Sequence, residues 1–367
     1  MRFLLVVVSI LRTTGALSSV VPLVPLCDYE GCPMVSAIGA GALHLGDRNG
    51  LKDVENINSW IRAAVDLGIT LFDLSDAYPV RGGESGQSAV LFGKALALTP
   101  GLRENITIVG KMGTVGLSSI DSSPAHLNKT LAWYLDVLGT SYLDILMLHF
   151  PDSFMDATAV AVAFQDFRDH EQVRFFGVSN HATSHFDLLD LKMKNTAAKG
   201  ASAVQGLVTH EFEFSVWNPS AANYDNDLLD HATLKGFRPL VWGALGGDPL
   251  GGMNRLFGRH SLRGKKIMRA LSKVASAVNL EGQEDLVAVS WILSHPVNAI
   301  PLLGTTDITR LTRQSGGAGS QIVTLTHDQW WDIATAGGIC VLADIQCSYD
   351  EYRLPLEPLP NPPKTLV

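Results

Sequence analysis

The chain has 367 residues, 46% of them apolar, and a formal net charge of −8, with a sequence pI near 5.7. That balance excludes a basic nucleic-acid surface. The length suits one α/β barrel of roughly 250 residues with extensions at both ends.

Met1 and Arg2 are followed by the apolar run FLLVVVSIL, then by Arg12, two threonines, Gly15 and Ala16. A basic start, a short apolar segment and a small-residue exit read as a signal peptide or targeting leader over residues 1–19. The run is too short to cross a bilayer as a helix, and no later segment is long and apolar enough to do so. The leader implies the secretory pathway or an organelle, with the cytoplasm as the alternative. Asn105-Ile106-Thr107 and Asn128-Lys129-Thr130 would be glycosylation acceptors in the first case. Four cysteines fall as Cys27/Cys32 and Cys340/Cys347, near the two ends. Neither spacing suits zinc, and no metal site is expected. Disulfides are expected in an oxidising compartment, and buried thiols otherwise.

Past the leader, a short β-branched or apolar run recurs roughly every thirty to forty residues, with a helical pattern between runs. The runs are 35–40, 69–74, 106–110, 143–148, 173–178, 204–209, 238–241 and 299–303. Helical spacing fills 54–67, 85–98, 124–138, 156–170, 184–192, 226–235 and 286–294. Pro124 at a helix start, and Gly139 and Gly236 just past helix ends, are the expected punctuation. Eight alternations predict an α/β fold of the (β/α)8 TIM-barrel type, one domain over residues 34–338 with a tail over 339–367. An open doubly wound sheet is the alternative. It would want GxGxxG at the first strand–helix turn, where this chain has GAGALHLG.

The second run, ITLFDLSDAY at 69–78, enters as core and leaves as acid, hydroxyl and phenol. A polar loop capping the next helix accounts for Ser75 and Asp76. It does not account for Asp73 among apolar neighbours, because a buried carboxylate needs a cationic partner. Lys111, ending the third run, is that partner. The fourth run ends in His149, the fifth in Ser179-Asn180 and the sixth in His210-Glu211; the seventh ends in Trp242-Gly243 and the eighth in Gly304-Thr305-Thr306. Singly, each has an ordinary explanation: His149 and Trp242 as core, Lys111 as a surface charge. Their recurrence at one phase of every unit does not, and a barrel would bring them to one mouth.

A lysine held by Asp73 beside Tyr78 should favour the phenolate and make the phenol a better acid near neutral pH. His149 can donate to the same substrate oxygen. Such a set protonates an alkoxide as hydride arrives at carbon. No cysteine or other strong nucleophile ends a strand, so the hydride must come from a cofactor. Ser179 and Asn180 offer polar groups to a carboxamide, and Trp242 a flat face to a nicotinamide.

From about residue 36 to 336 the chain resembles the aldo-keto reductases. FDLSDAY is similar to that family's FD-x-A-D-x-Y, GKMG to its lysine strand and YLDILMLHFPD to its histidine strand. VRFFGVSNH resembles GVSNF, VWGALGG resembles WSPLGGG, and PLLGTTDITRL resembles the segment that meets the adenosine end of the nucleotide. The resemblance implies reversible, NADPH-dependent reduction of a small aldehyde or ketone to an alcohol, without a Rossmann domain. It implies Tyr78 as general acid, Lys111 and Asp73 as its tuners, and His149 as substrate orienter. For NADP(H) it implies Ser179 and Asn180 on the carboxamide and Trp242 on the ring. Gly246 would meet the pyrophosphate, with Thr305, Thr306 and Arg310 at the 2′-phosphate and Glu211 and Gln314 completing the set.

Three features depart from the family pattern. Glu211 stands where the closest subgroup has a glutamine; it can accept from an amide NH2 but cannot donate unless protonated. Gly304 stands where many members have a lysine for the 2′-phosphate. Tyr78 is followed by PVRGGESGQ, a longer turn than usual. Two other classes compete. A metal-dependent hydrolase would draw on His44, His149, His210 and a lysine, but would want an aspartate where Thr305 stands. A catalytically weak cofactor-binding barrel, acting as a redox sensor or accessory subunit, is left open by Glu211 and opposed by the complete tetrad. The loops that would choose a substrate, 43–51, 114–121 and the tail after Gly337, carry no recognisable code.

Overall fold

A computed structural model describes residues 21–47, 50–79, 82–116, 119–197, 206–223, 226–246, 262–317 and 319–339. Eight parallel strands close into a barrel in chain order. They are β1 (Gly39–Gly41), β2 (Leu71–Ser75), β3 (Thr107–Met112), β4 (Leu143–Leu148), β5 (Val173–Ser179), β6 (Thr209–Glu213), β7 (Leu240–Trp242) and β8 (Ile300–Leu303). The ring closes where β8 pairs with β1, Leu302 beside Gly39. The expected (β/α)8 barrel is the fold of this chain.

Helices α1 (Val54–Asp66), α2 (Gln87–Ala97), α3 (Pro124–Leu138), α4 (Ala157–Asp169), α5 (Thr183–Ala197) and α6 (Leu228–Lys235) each follow a strand. Both α7 (Leu262–Ala277) and α8 (Glu284–Leu293) lie between β7 and β8, while α9 (Ile308–Gln314) and α10 (His327–Gly337) follow β8. The periodicity reading missed α7, α9 and α10.

Local chemistry explains these elements. In β4, LDILML is buried throughout, as a strand covered by helices outside and side chains inside must be. Helix α1 buries Ile57, Trp60, Ile61 and Ala64 at three- and four-residue spacing, and Asp53 caps it by accepting from the Asn56 N–H. Helix α3 starts on Ser123 and Pro124 and stops at Gly139, whose φ of 61° lies in the left-handed region. Trp60 and Phe92 pack their rings against Phe72 of β2 at 5.6 and 5.4 Å, joining α1 and α2 to the barrel wall. Trp291 and Trp330 stack at 4.8 Å and exchange indole–carbonyl hydrogen bonds, which fixes α10 on α8.

Two strand boundaries differ from the sequence expectation. The 35–40 run splits: Met34–Ser36 pairs antiparallel with Leu23–Pro25, and the barrel strand begins only at Gly39. That hairpin region bonds through its backbone to Leu67, Gly236 and Arg238, just before β2 and β7, and so covers the N-terminal end of the barrel. The sixth strand is Thr209–Glu213, not 204–209. Its inward positions are polar, so a search for apolar runs stops where the strand begins. Cys27 and Cys32 are joined by a disulfide. The leader, Cys340, Cys347 and the rest of the tail lie outside the described residues. Among the described residues no helix is long and apolar enough to cross a membrane.

Candidate active site

Period-two alternation puts Asp73 and Ser75 on one face of β2, and Lys111 of β3 pairs in register with Ser75. Lys111, 1% exposed, donates to Asp73 Oδ2 at 2.8 Å, the partnership the sequence predicts. It also donates to Glu211 Oε1 at 2.6 Å, which the sequence does not predict. The expected carboxamide ligand has its carboxyl turned onto the lysine. Burial alone would drive the lysine's pKa down, but Asp73, Glu211 and Tyr78 override it and hold the ammonium well above its ordinary range. From α3, the Tyr134 hydroxyl donates to the Lys111 carbonyl at 2.8 Å and fixes the strand beneath the ammonium.

Tyr78 follows β2, half-buried, with Lys111 Nζ 5.2 Å from its ring centre. Burial raises its pKa above the ordinary value; Lys111 pulls it down, and Asp73 and Glu211 push it further up. The expected shift toward phenolate is therefore outweighed. Lys111 acts in the anticipated direction, but removal from water is the larger effect. The phenol keeps its proton at neutral pH, the state a general acid must be in.

His149 follows β4 and is 6% exposed. Burial, then the charge of Lys111, hold it well below the ordinary imidazole range, so it is neutral. Ser75 Oγ lies 2.8 Å from its Nδ1 and 3.3 Å from Asp76 Oδ1. Asp76 is already served by the N–H groups of Gly113 and Thr114 and by the Thr114 hydroxyl. The Ser75 hydroxyl donates to Asp76 Oδ1 and accepts from the Ala77 N–H at 3.0 Å, and Nδ1 of the neutral imidazole lies against that same hydroxyl oxygen. The Phe150 ring stacks on His149 at 4.2 Å and Tyr78 meets it edge-on at 5.8 Å. Sequence reasoning left Ser75 to a loop; its parity with Asp73 was the signal that it faces inward.

Asn180, at φ 60°, ties three strand ends together. Its Nδ2 donates to the His149 carbonyl (3.2 Å) and to Ser179 Oγ (3.0 Å), while its Oδ1 accepts from Trp242 Nε1 (2.9 Å). Ser179, Asn180 and Trp242 are thus brought beside the tetrad, as expected. Further round, the Gly246 N–H turns back to the Gly243 carbonyl at 2.6 Å. Thr305 Oγ1 accepts from the Asp307 N–H at 3.2 Å, and Thr306 is half-buried beside it. Gly304 is exposed, and a Cβ built there would meet nothing closer than His44 at 3.9 Å. Arg310 is exposed, with Nε 3.7 Å from Asp307 Oδ2. Gln314 is buried on α9; its Nε2 donates to Asp285 Oδ2 at 3.0 Å and its Oε1 has no partner in the chain.

That buried acceptor, the open surface at Gly304 and the indole held by Asn180 fit a nicotinamide dinucleotide laid from Trp242 toward α9. His210 does not join the mouth. It faces α5, 5.9 Å from the ring of Phe186, and accepts from the His181 N–H at 3.3 Å. His44 is bonded instead to Asp47 at 3.0 Å. The histidines of the hydrolase reading do not converge, and among the described residues no group of three or more His, Cys, Asp or Glu could hold a metal ion.

Residues 37–335 match the model of the Aldo/keto reductase family. The chain is 31% identical over 287 residues to the uncharacterized oxidoreductase YcsN of Bacillus subtilis, covering 76% of this chain and 87% of that one. It is 31% identical over 312 residues to the oxidoreductase YdhF of Escherichia coli, covering 83% and 94%. To the 6-dehydroglucose reductase of Agrobacterium fabrum it is 27% identical over 310 residues, covering 82% and 94%. Likeness over that length, on a barrel that gathers Asp73, Tyr78, Lys111 and His149 at one mouth, leaves one assignment: the chain belongs to the aldo/keto reductase family of oxidoreductases.

Proposed function

We propose that the protein reduces an aldehyde or ketone to the alcohol, reversibly, with NADP(H) as cofactor and Tyr78 as general acid. The observation that carries this reading is the buried contact of Lys111 with Asp73 beneath the ring of Tyr78, edge-on to His149. The bound nicotinamide supplies the hydride. His149, neutral, sits beside the carbonyl oxygen and holds it toward Tyr78. Tyr78 gives its phenolic proton to that oxygen as negative charge builds there, and the Lys111 ammonium stabilises the tyrosinate left behind. Ser179, Asn180 and Trp242 would hold the nicotinamide end, Gly246 the pyrophosphate, and Thr305, Thr306 and Arg310 the 2′-phosphate, with Gln314 near the adenosine.

Multiple-turnover oxidation of NADPH and NADH against a panel of carbonyl compounds tests the reading. The panel includes 6-dehydroglucose, after which the Agrobacterium relative is named. Turnover with NADPH on at least one carbonyl supports it. Tight NADPH binding with no turnover on any would favour the sensor or accessory reading instead. On this reading Arg310 would make a bidentate contact with the 2′-phosphate, so Arg310→Ala should weaken NADPH binding about tenfold and leave NADH binding unchanged. Equal affinity for the two cofactors in the parent protein would refute the 2′-phosphate assignment.

We also propose the secretory pathway or an organelle as the compartment. Residues 1–19 read as a leader, and the Cys27–Cys32 disulfide supports an oxidising environment. Asn105 and Asn128, the two candidate glycosylation sites, are both exposed. Mass analysis of the protein from its native source, for cleavage near residue 19, tests it.

A further inference from the structure

The cluster around Glu211 is one proton short of being satisfied. Lys111 Nζ donates to one oxygen of each carboxyl group, Asp73 Oδ2 and Glu211 Oε1. The second oxygens, Asp73 Oδ1 and Glu211 Oε2, are buried with no partner. Asp73 and Glu211 are 3% and 0% exposed, and their carboxyl groups come within hydrogen-bond reach of each other. With both ionised, two anions and one cation would sit out of water, leaving a net negative charge and lone pairs facing lone pairs. Each unpaired buried oxygen would carry its own desolvation penalty. One proton between the two groups removes both problems.

We propose that Glu211 is a carboxylic acid at neutral pH: its Oε2–H donates to Asp73 Oδ1 while its Oε1 accepts from Lys111, so the three side chains form a neutral unit beneath Tyr78. Glu211 is then a positioning residue, and the proposal rests on the reading of Tyr78 as the acid. Reduction leaves a tyrosinate beside this unit. A neutral unit lets the Lys111 ammonium stabilise that anion, whereas an ionised Glu211 would oppose it. The Glu211 proton is not transferred to substrate; it is lost to solvent only when the pH is raised.

The titratable groups facing Glu211 are Asp73 from β2, Lys111 from β3 and Tyr78 from the loop after β2. Its register neighbours on β5 and β7 are Ser179 and Leu240, which do not titrate. Along β6, His210 and Phe212 face the helices, and Glu213 accepts from Asn218 at 2.7 Å. Burial, then the charge of Asp73, push the Glu211 carboxyl up to about 8 against the pull of Lys111. Asp73 is raised too, by burial first, but it receives the hydrogen bond from Glu211, which places the proton on the glutamate.

The test reads the proton directly and needs no turnover. Infrared difference spectra of the full chain between about pH 6 and pH 10 should show a buried protonated carboxyl band lost near pH 8. Glu211→Gln should abolish the band. Asp73→Asn, which removes the anion that holds the proton, should leave Glu211 ionised at pH 7. A band that persists in Glu211→Gln, or none at pH 6 in the parent, overturns the proposal. Kinetics give a second arm: kcat/KM for carbonyl reduction should fall about tenfold per unit above pH 8. In Glu211→Gln that limb should move up by more than about one unit; a limb that stays in place overturns the proposal. If no carbonyl is reduced at all, the infrared arm still decides on Glu211, and only the reductase reading fails.

Discussion

At the N-terminal end of the barrel, Asp144 at the start of β4 uses both of its carboxylate oxygens. Oδ2 accepts from the Ile108 N–H at 2.9 Å and pairs with Arg103 at 2.8 Å, and Oδ1 accepts from Arg174 at 3.1 Å. The two guanidiniums sandwich the Tyr142 ring at 4.1 and 3.8 Å. At the opposite end, Lys111 holds two carboxyl groups, and each keeps an oxygen with no partner in the chain. In the first cluster both carboxylate oxygens are met, and the unmet group is a donor, the buried Arg103 Nε–H. The second, on the proposed reading, keeps a proton and charge in reserve, and its unmet carboxyl oxygens are what a reaction site would retain. The same division, stability at the bottom of the barrel and reaction at the top, is the general habit of the fold.

The largest effect expected on this comparison is that of Lys111→Met. It leaves Asp73 and Glu211 facing each other without their ammonium, so unfolding in urea should show a loss of about 3–5 kcal/mol. Turnover should be lost with it. Asp144→Ala sharpens the contrast from the other end. Arg103 loses its partner, and stability should fall by about 3 kcal/mol, while kcat/KM stays within about twofold of the parent. A loss of turnover in folded Asp144→Ala protein comparable to that of Lys111→Met would break the comparison.

A smaller effect lies behind β6, on the side away from the mouth. Burial lowers His181 to about 4 and His210 to about 3, and both stay neutral in the folded protein. Below an ordinary histidine pKa of about 6.5, the unfolded chain binds protons that the folded one refuses. The stability these groups contribute is therefore present above about pH 6.5 and lost as pH falls toward 4 and then 3. His210→Gln removes one of the two, so the stability lost between pH 7 and pH 4.5 should shrink by about 2 kcal/mol. An unchanged acid slope would mean that His210 is not a source of acid sensitivity.

Much of this was legible in the sequence, and the rest was not for identifiable reasons. β4 is Leu143–Leu148 as its apolar run predicts, because a strand buried on both faces advertises itself. Asp73 and Lys111 could be paired from the sequence, since a carboxylate among apolar residues demands a cation. Glu211 could not be paired the same way. Lys111 lies 100 residues away, and THEFE hides a barrel strand whose inward face is polar. His210 showed the same blindness in reverse: read as a strand-end residue, it proved to face the helices, one step out of phase with Glu211. α7 was missed because α8 already filled the interval between β7 and β8, and α9 and α10 because they follow the last strand, where no strand-to-strand interval announced them.

Tyr78 carries the proposed chemistry, and Tyr78→Phe is the change that reaches it most directly. Phe fills the same space without the proton, so NADPH affinity, followed by fluorescence titration, should stay within about twofold of the parent. General acid catalysis contributes about 10²–10⁴-fold, so kcat/KM for carbonyl reduction should fall by at least the lower of these. Combined with Lys111→Met, the loss should be little greater than for either change alone, because the two groups act as one unit. A Tyr78→Phe protein that reduces carbonyl compounds at close to the parent rate would contradict the account: the barrel and the family would stand, and the acid would have to be another group.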